Sequence, residues 1–458
     1  MDFVEEFELS INLFREINGD GNIINAVSSA DKDDIYEFAE ILYLISQYHF
    51  KFENKTNENF SFVANSSLSG GRFPCSFPKC RSLKLESLIS FSSLYADEVY
   101  VQNPFEKIVL NGSDAFNENS RTELVQGILN YFQLKPLIEK GIVKYAQNRV
   151  SLCKHHHETI ALPLEAKINN KLEQLYSHLH DYLIERCTIF LDALDDGSKF
   201  FKITGPDGLI EHGEVYIYLP ERLSDCLKGP MTDFFTSINN KSLPYKLSKA
   251  EIVNERILEI VIRPILNDLS DQEWHSAFYG TSYLFDNPTQ IKIASKINSA
   301  TYAANSLSFT KAMSHHLPLV FSNDLNSVIQ LREQEGEAFK VYRDKINTLI
   351  RQKDLWKEKD ISEMFRDQIL PEINMIDKKV KDWQTKTRES IKDKVLFGSG
   401  AVSIGLYSGT LPTSIGQFVA AIGGASVITS ALMDYNKTLK EKIEARGNDY
   451  YFLWQAKK

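Results

Sequence analysis

A run of 39 residues without a single charge separates Lys394 from Asp434 in this 458-residue chain. Charged residues are expected every few positions on a solvated helix, so this run must be covered either by protein or by lipid. Gly409 and Pro412 fall near its middle and indicate a turn between two arms. We therefore predict a glycine-rich hydrophobic helical hairpin over residues 395–433.

Small residues recur at intervals of four on both predicted arms: Ala401, Gly405, Gly409, Gly416, Ala420 and Gly424. This spacing lets helix backbones approach closely in a bilayer, and it equally allows close packing inside a water-soluble bundle. The arms comprise residues 395–407 and 417–433, and each is shorter than the roughly 20 residues of a perpendicular membrane span. Insertion into a membrane and burial in a soluble core both remain open from this pattern.

The segments that flank the uncharged run are basic in an otherwise acidic chain. Residues 376–394 carry seven basic side chains against four acidic ones, and basic residues also prevail after the run. Positive flanks favour the cytoplasmic side of a bilayer. The first ten residues contain four acidic and no basic residues, which is unlike the basic start of a secretory signal. We expect a cytoplasmic protein that is conditionally located at the inner membrane.

An apolar stripe precedes the uncharged run. Its members are spaced three or four residues apart: Ile361, Phe365, Ile369, Ile373, Ile376, Val380 and Trp383. This is one face of an amphipathic helix with solvated flanks, which usually packs on a neighbouring helix. An intermolecular coiled coil, and with it a homo-oligomer, is the alternative.

Composition limits the class of protein. The chain is 43% hydrophobic and 25% charged, so it can bury full cores, and its net charge is −9. An acidic chain offers no broad basic surface for phosphate contacts, and we predict no nucleic-acid partner. Five cysteines in 458 residues do not form a disulfide framework.

Hydrophobic periodicity predicts an α+β fold that is predominantly helical. The predicted helices cover residues 33–48, 83–95, 122–140 with a break or kink at Pro136, 164–195 and 249–267. Strands are predicted at 98–102 and 142–145, and a β-hairpin at 199–219 around a turn at 205–208. Shifts in character suggest three domains: a mixed α/β sensor-like domain (1–160), a mostly helical domain that contains the hairpin (161–323), and a helical effector-like domain (324–458).

Cysteine and histidine spacing suggests a metal site. Cys75 and Cys80 lie in Pro-Cys-Ser-Phe-Pro-Lys-Cys, and Cys153 shortly precedes His155, His156 and His157. Two thiols near a turn, with a thiol and an imidazole from elsewhere, match the ligands of a structural zinc ion. We predict one zinc ion held by Cys75, Cys80, Cys153 and His156. The alternative is metal-free thiols beside an exposed histidine cluster.

Catalytic signals are weak throughout. Glu165 and Lys167 resemble half of a metal-dependent nuclease site, but the surrounding pattern places them at the start of a helix. Residues 69–72 (Ser-Gly-Gly-Arg) suggest a plain turn, or alternatively an anion-binding nest. No phosphate-binding loop of the Walker type is present. We expect no enzymatic activity.

Several segments resemble parts of uncharacterised bacterial proteins: residues 75–81, 93–106 (SLYADEVYVQNPFE), 331–343 (LREQEGEAFKVYR) and 450–454 (YYFLW). They imply no activity. The overall plan, a sensor-like α/β half followed by charged helices and a hydrophobic hairpin, resembles helical membrane-damaging effectors, including some bacterial abortive-infection proteins.

This resemblance implies a non-enzymatic antiphage effector that is soluble at rest, with residues 395–433 packed against the stripe of 361–383. A phage trigger or protein partner would release the hairpin into the inner membrane. Two alternatives stay open. One is a soluble sensor or scaffold subunit of a multi-protein complex, with the hairpin as permanent core; the other is a metal-dependent nuclease or different enzyme.

Overall fold

The computed structural model describes residues 1–19, 21–50, 61–147, 153–195, 197–206, 210, 213–218, 242–279, 281–285 and 317–321, scattered positions between 328 and 378, and 396–400, 402–405 and 418–422. The fold is mixed α/β and predominantly helical, which confirms the coarse part of the predicted class. Its described part contains three sheets, of six, four and two strands, and the two larger sheets have separate hydrophobic cores.

The first unit is a six-stranded sheet in which four neighbouring strands run parallel, with helices on both faces. Strands β1 (Ser61–Ala64), β2 (Glu98–Val101) and β3 (Val143–Tyr145) pair in parallel in that order, and β8 (Ser282–Phe285) joins the other side of β1, also in parallel. The helices that precede or connect the first three strands are α1 (Phe3–Ile17), α2 (Ile23–Ser29), α3 (Lys32–His49), α4 (Pro78–Leu94), α5 (Glu106–Asn111) and α6 (Glu118–Glu139).

Alternation along each strand sends side chains to opposite faces of this sheet. Phe62, Val99 and Tyr145 belong to the large core formed with α1, α3, α4 and α6, which contains many aromatic rings. Val63, Tyr100 and Ala146 point to the other face, where Tyr279 covers them. Helices on both faces are the usual arrangement for parallel strands.

The second unit is an antiparallel four-stranded sheet, in the order β6 (Glu214–Tyr218), β5 (Lys199–Thr204), β4 (Thr188–Ala193) and β7 (Tyr245–Lys246). β5 and β6 pair with the register Phe200–Tyr218 to Thr204–Glu214, so the predicted β-hairpin is confirmed. The surrounding helices are α7 (Lys154–His156), α8 (Leu162–Arg186), α9 (Lys249–Asn254) and α10 (Glu259–Tyr279).

Helix α10 is part of both units. Val261, Ile265 and Leu269 of its first half lie in the core of the antiparallel sheet. Tyr279, at its other end, stacks on Tyr100 of the parallel sheet with ring centroids 3.9 Å apart. A single helix therefore packs on both sheets.

Two predicted helix boundaries are wrong. Residues 188–193 form strand β4 and not the end of a helix, because Thr188 and Ile189 pair with β5 once the helix has ended at Arg186. The predicted helix at 249–267 is two helices with a break between Asn254 and Glu259. Helix α6 runs without a break through Pro136 to Glu139, so of the predicted break or kink the break is excluded.

The segment predicted as a helical hairpin is described only in short stretches, and these are strands. β10 (Leu396–Gly400) pairs antiparallel with β9 (Leu317–Phe321), and β11 (Val402–Gly405) pairs antiparallel with both β8 and β12 (Phe418–Ile422). The helical prediction is therefore wrong for these residues. Glycine and β-branched residues are poor helix formers, and here the backbone N–H and C=O groups pair with those of neighbouring strands. The predicted turn at 408–416 lies outside the described residues.

Candidate functional site

The carboxyl ends of the parallel strands form the part of the fold most suited to a binding site. Because β8, β1, β2 and β3 run in the same direction, the loops that follow them meet at one edge of the sheet. In open α/β sheets, ligands bind in the crevice at this edge. Here the edge is occupied by polar side chains from the loops and from α10.

The loop after β1, residues 65–72, is a closed turn. The N–H groups of Ser69, Gly70 and Gly71 donate to the carbonyl oxygens of Asn65, Ser67 and Ser66, at 3.0, 3.0 and 2.7 Å. Donors already used within the loop are not available to a bound anion. The plain-turn interpretation of Ser-Gly-Gly-Arg therefore holds, and the anion-binding nest is not formed.

A buried arginine fastens this loop to the helices behind it. Arg81 of α4 donates from Nε to the carbonyl oxygen of Gly70 at 2.7 Å. Its two terminal nitrogens contact the carboxylate of Glu123 on α6 at 2.8 and 2.9 Å. Arg81 is only 4% exposed, so this two-pronged ion pair replaces the water that the guanidinium loses on burial.

Two carboxylates of α10 lie against the edge of the sheet. Asp268 accepts a hydrogen bond from the Ser66 N–H at 2.6 Å. The side-chain amide of Gln102, which follows β2, lies 3.4 Å from a carboxylate oxygen of Asp268 and 3.4 Å from one of Asp271. The loops after two neighbouring strands thus converge on one pair of acidic residues.

Burial shifts the ionisation of the groups around this pair. It raises the pKa of the Asp271 carboxyl above its ordinary value, an effect that the nearby charge of Lys107 opposes. It lowers the pKa of His275 to about 4, against hydrogen bonds to the backbone of Gln147 and Asp271 that favour the charged form. His275 is therefore a neutral imidazole near pH 7.

Further along α10 the polar groups become fully enclosed. Gln272 is 1% exposed and donates from Nε2 to the Leu284 carbonyl at 3.4 Å, while its Oε1 meets no hydrogen-bond partner among the described residues. The Tyr279 hydroxyl accepts from the Gln147 N–H at 2.9 Å, and burial raises the pKa of Tyr279 to about 12. Neutral groups and carboxylate oxygens make this edge rich in acceptors, which suits a ligand with N–H or O–H donors.

The predicted zinc ligands lie at the start of α4 and around α7. Cys75 precedes α4, Cys80 lies in its first turn, and Cys153 is exposed just before α7. In the part of the chain that the structure describes, no three His, Cys, Asp or Glu side chains are grouped to hold a metal ion. The side chain of His156 is outside that part, so the zinc site remains a prediction.

Other predicted features are placed only partly. The seven apolar residues of the stripe lie outside the described residues. Glu363, Asp367 and Lys378, which are interspersed among them in the sequence, are described and are exposed. Gly405 and Ala420 lie in β11 and β12, whereas Ala401, Gly409, Gly416 and Gly424 are not described. Glu165 is exposed in the first turn of α8, as expected for a helix start and not for a nuclease strand.

Sequence analysis did not identify the polar residues of α10. Their signal is visible afterwards: Asp268, Asp271, Gln272 and His275 follow helical spacing and lie on one face of α10. Such a stripe ordinarily faces solvent, and only the packing of α10 on the parallel sheet shows that it faces inwards.

Comparison of the chain with known protein families, with curated proteins and with solved structures gives no match. None of the helices in the described part of the chain has both the length and the apolar character needed to cross a membrane.

Proposed function

We propose that the protein is a non-enzymatic effector of the abortive-infection (antiphage) type, which is cytoplasmic at rest and perturbs the inner membrane through residues 395–433. One observation carries the proposal: 39 consecutive residues without a charge, preceded by a segment with seven basic and four acidic side chains. Basic flanks bind the anionic cytoplasmic leaflet, and the uncharged run between them offers no charge that would oppose entry into lipid.

The sensing part of this proposal is the edge of the parallel sheet. Asp268, Asp271 and the buried Gln272 form an acceptor-rich cluster beneath the loops after β1 and β2. A trigger with several N–H or O–H groups, either a small molecule or a protein segment, fits such a cluster. The protein would have a resting state, in which residues 395–433 are packed away, and a released state, in which they are free to enter lipid. A trigger shifts the equilibrium between these states only if its affinities for them differ, so it must bind the released state more tightly.

The test uses the full chain with a charge placed in the uncharged run. Val402→Asp and Val427→Arg each oppose entry into lipid by about 2.5 to 3.5 kcal/mol for a central position, which is on the order of 100-fold in partition. We expect both variants to lose dye leakage from phosphatidylethanolamine–phosphatidylglycerol vesicles and toxicity in infected cells. The matched control is Val253→Asp, because Val253 is exposed on α9.

Circular dichroism must show that the variants stay folded. Wild-type protein that never associates with vesicles or with the inner membrane during infection would disprove the effector proposal. That outcome supports the second candidate, a soluble sensor or scaffold subunit in which residues 395–433 are permanent core. The polar cluster on α10 fits this candidate as well as the first, since a trigger or partner could bind there without any role for lipid.

A further inference from the structure

An exposed apolar surface runs along the outside of the first two long helices. Leu9, Leu13 and Ile17 recur every four residues on α1, and Ile41, Leu44 and Tyr48 follow a three–four spacing on α3. Six of the sixteen exposed large apolar side chains in the described part of the chain are these, with Ile17 80% and Tyr48 64% exposed. We call this set the outer surface.

The six side chains belong to one region because α1 and α3 pack side by side. Phe14 stacks on Phe38 with ring centroids 4.0 Å apart, and Phe3, near the start of α1, contacts Phe50, just past the end of α3. The two helices are therefore antiparallel neighbours. Their inner faces already fill the core with other residues, so the outer surface is a second apolar face, which core packing does not require.

Acidic residues surround the outer surface. Glu5 and Glu16 on α1, and Asp33, Asp34 and Glu37 on α3, are all exposed. An apolar patch with a charged rim is typical of a docking site and not of ordinary solvated helix faces. Its charge defines the partner: an apolar segment flanked by basic side chains.

The chain itself contains a segment of this kind. Residues 376–394 carry Ile376, Val380 and Trp383 at helical spacing together with seven basic side chains, and Lys378 is exposed. We propose that residues 376–394 dock on the outer surface of the same chain, with their apolar side chains against α1 and α3 and their lysines against the acidic rim.

The connection is long enough for this docking. Arg332 donates to the carbonyl oxygens of Ser92 and Ala96 at 3.2 and 2.6 Å, and Val328 and Ile329 are buried in the core of the first unit. The chain therefore continues from an anchored helix on the same unit. The 32 residues from Asp344 to Ile376 can span roughly 100 Å when extended, which exceeds any distance across a unit of this size.

Docking has a consequence for the uncharged run. The last residues of the apolar stripe would pack on α1 and α3, and not on residues 395–433. Docking would also hold Lys394, which directly precedes the uncharged run, beside the folded first unit. The docking concerns contacts within the chain, so it goes beyond the proposed membrane activity and does not depend on it.

Photocrosslinking of the full chain tests this contact. With p-benzoylphenylalanine in place of Leu13 or Leu44, we expect a cross-link to residues 376–394, identified by mass spectrometry, in material that runs as a monomer on a denaturing gel. Tyr218, 60% exposed on the edge strand β6, is the control position and should give no such product. Cross-links between two copies, or to other parts of the chain, would overturn the proposal.

A charge exchange separates specific docking from general stickiness. Glu37→Lys should lower the yield of the Leu13 cross-link several-fold, Lys381→Glu should do the same, and the double variant should restore it. Equal yields in all four proteins would contradict the predicted ion pairing. Because these experiments contain no lipid, their outcome is independent of whether residues 395–433 act on membranes.

Discussion

His275 is a buried histidine whose neighbours keep it neutral. It is 3% exposed, contacts the backbone of Gln147 and Asp271, and has its pKa lowered by burial from 6.5 to about 4. In the unfolded chain the same imidazole becomes protonated near pH 6.5, so protons bind preferentially to the unfolded state between these two values. The side chain therefore couples the stability of the first unit to pH.

The sign of this coupling gives a prediction. The contribution of His275 is fully present above pH 6.5 and is lost as pH falls towards 4, by about 3 kcal/mol over the whole interval. His275→Gln should flatten the dependence of the free energy of unfolding on pH in this range, measured by urea denaturation. Equal slopes for wild type and variant would contradict it.

Asp271 acts in the opposite direction and serves as the internal control. Its pKa is raised by burial, so its protonation at low pH favours the folded state. Asp271→Asn should therefore steepen the loss of stability as pH falls, whereas His275→Gln reduces it. The pair of variants separates the two contributions.

At the scale of elements, the loop after β1 depends on one close backbone approach. A Cβ atom on Gly71 would lie 2.2 Å from the Ser66 hydroxyl oxygen and 2.7 Å from the Ser66 carbonyl oxygen. The second of these atoms belongs to the backbone and accepts the Gly71 N–H, so it has little freedom to move. Glycine is the residue that fits here.

Gly71→Ala should consequently destabilise the protein by about 1 to 3 kcal/mol, as overpacking of a tight site does. The control is Gly21→Ala, because no atom lies within 4 Å of the position that its Cβ would occupy. Thermal unfolding of the two variants beside wild type measures the difference. A Gly71→Ala protein as stable as the Gly21→Ala control would show that the loop rearranges at little cost.

Helices and strands with a strong hydrophobic periodicity could be predicted from the sequence, and short elements could not. The apolar spacing in α3 and the alternation around the β5–β6 turn are long enough to define each element. β1 has only four residues next to an asparagine-rich stretch, and β4 directly follows a long amphipathic helix whose pattern masks the change of period. The candidate site was missed for a different reason: no local pattern specifies which strands become neighbours, and that order brings Gln102 to Asp268 and Asp271.

At the scale of the whole molecule, the predicted zinc ion would link residues of α4 to the segment before α7. If Cys75, Cys80, Cys153 and His156 bind zinc, purified full-length protein should contain about one zinc ion per chain. Cys75→Ser should then reduce both the metal content, measured by atomic emission, and the melting temperature. Cys187→Ser is the matched control: this thiol lies at the end of α8, outside the predicted ligands, and burial raises its pKa to about 11.

Zinc-free protein whose melting temperature is unchanged by chelators would contradict the zinc prediction. Equal zinc content in the Cys75→Ser and Cys187→Ser variants would instead assign the metal to other ligands.

The position of α10 in the chain has a consequence for biosynthesis. Val63, Tyr100 and Ala146 are synthesised early. Tyr279, which covers them, follows Ala146 by 133 residues. At about 5 to 20 residues per second, the ribosome needs roughly 7 to 27 seconds to close this interval. During that time the nascent sheet has one uncovered face, while the whole antiparallel unit is being made. A chaperone that shields apolar strands would have its main period of action here, before α10 emerges.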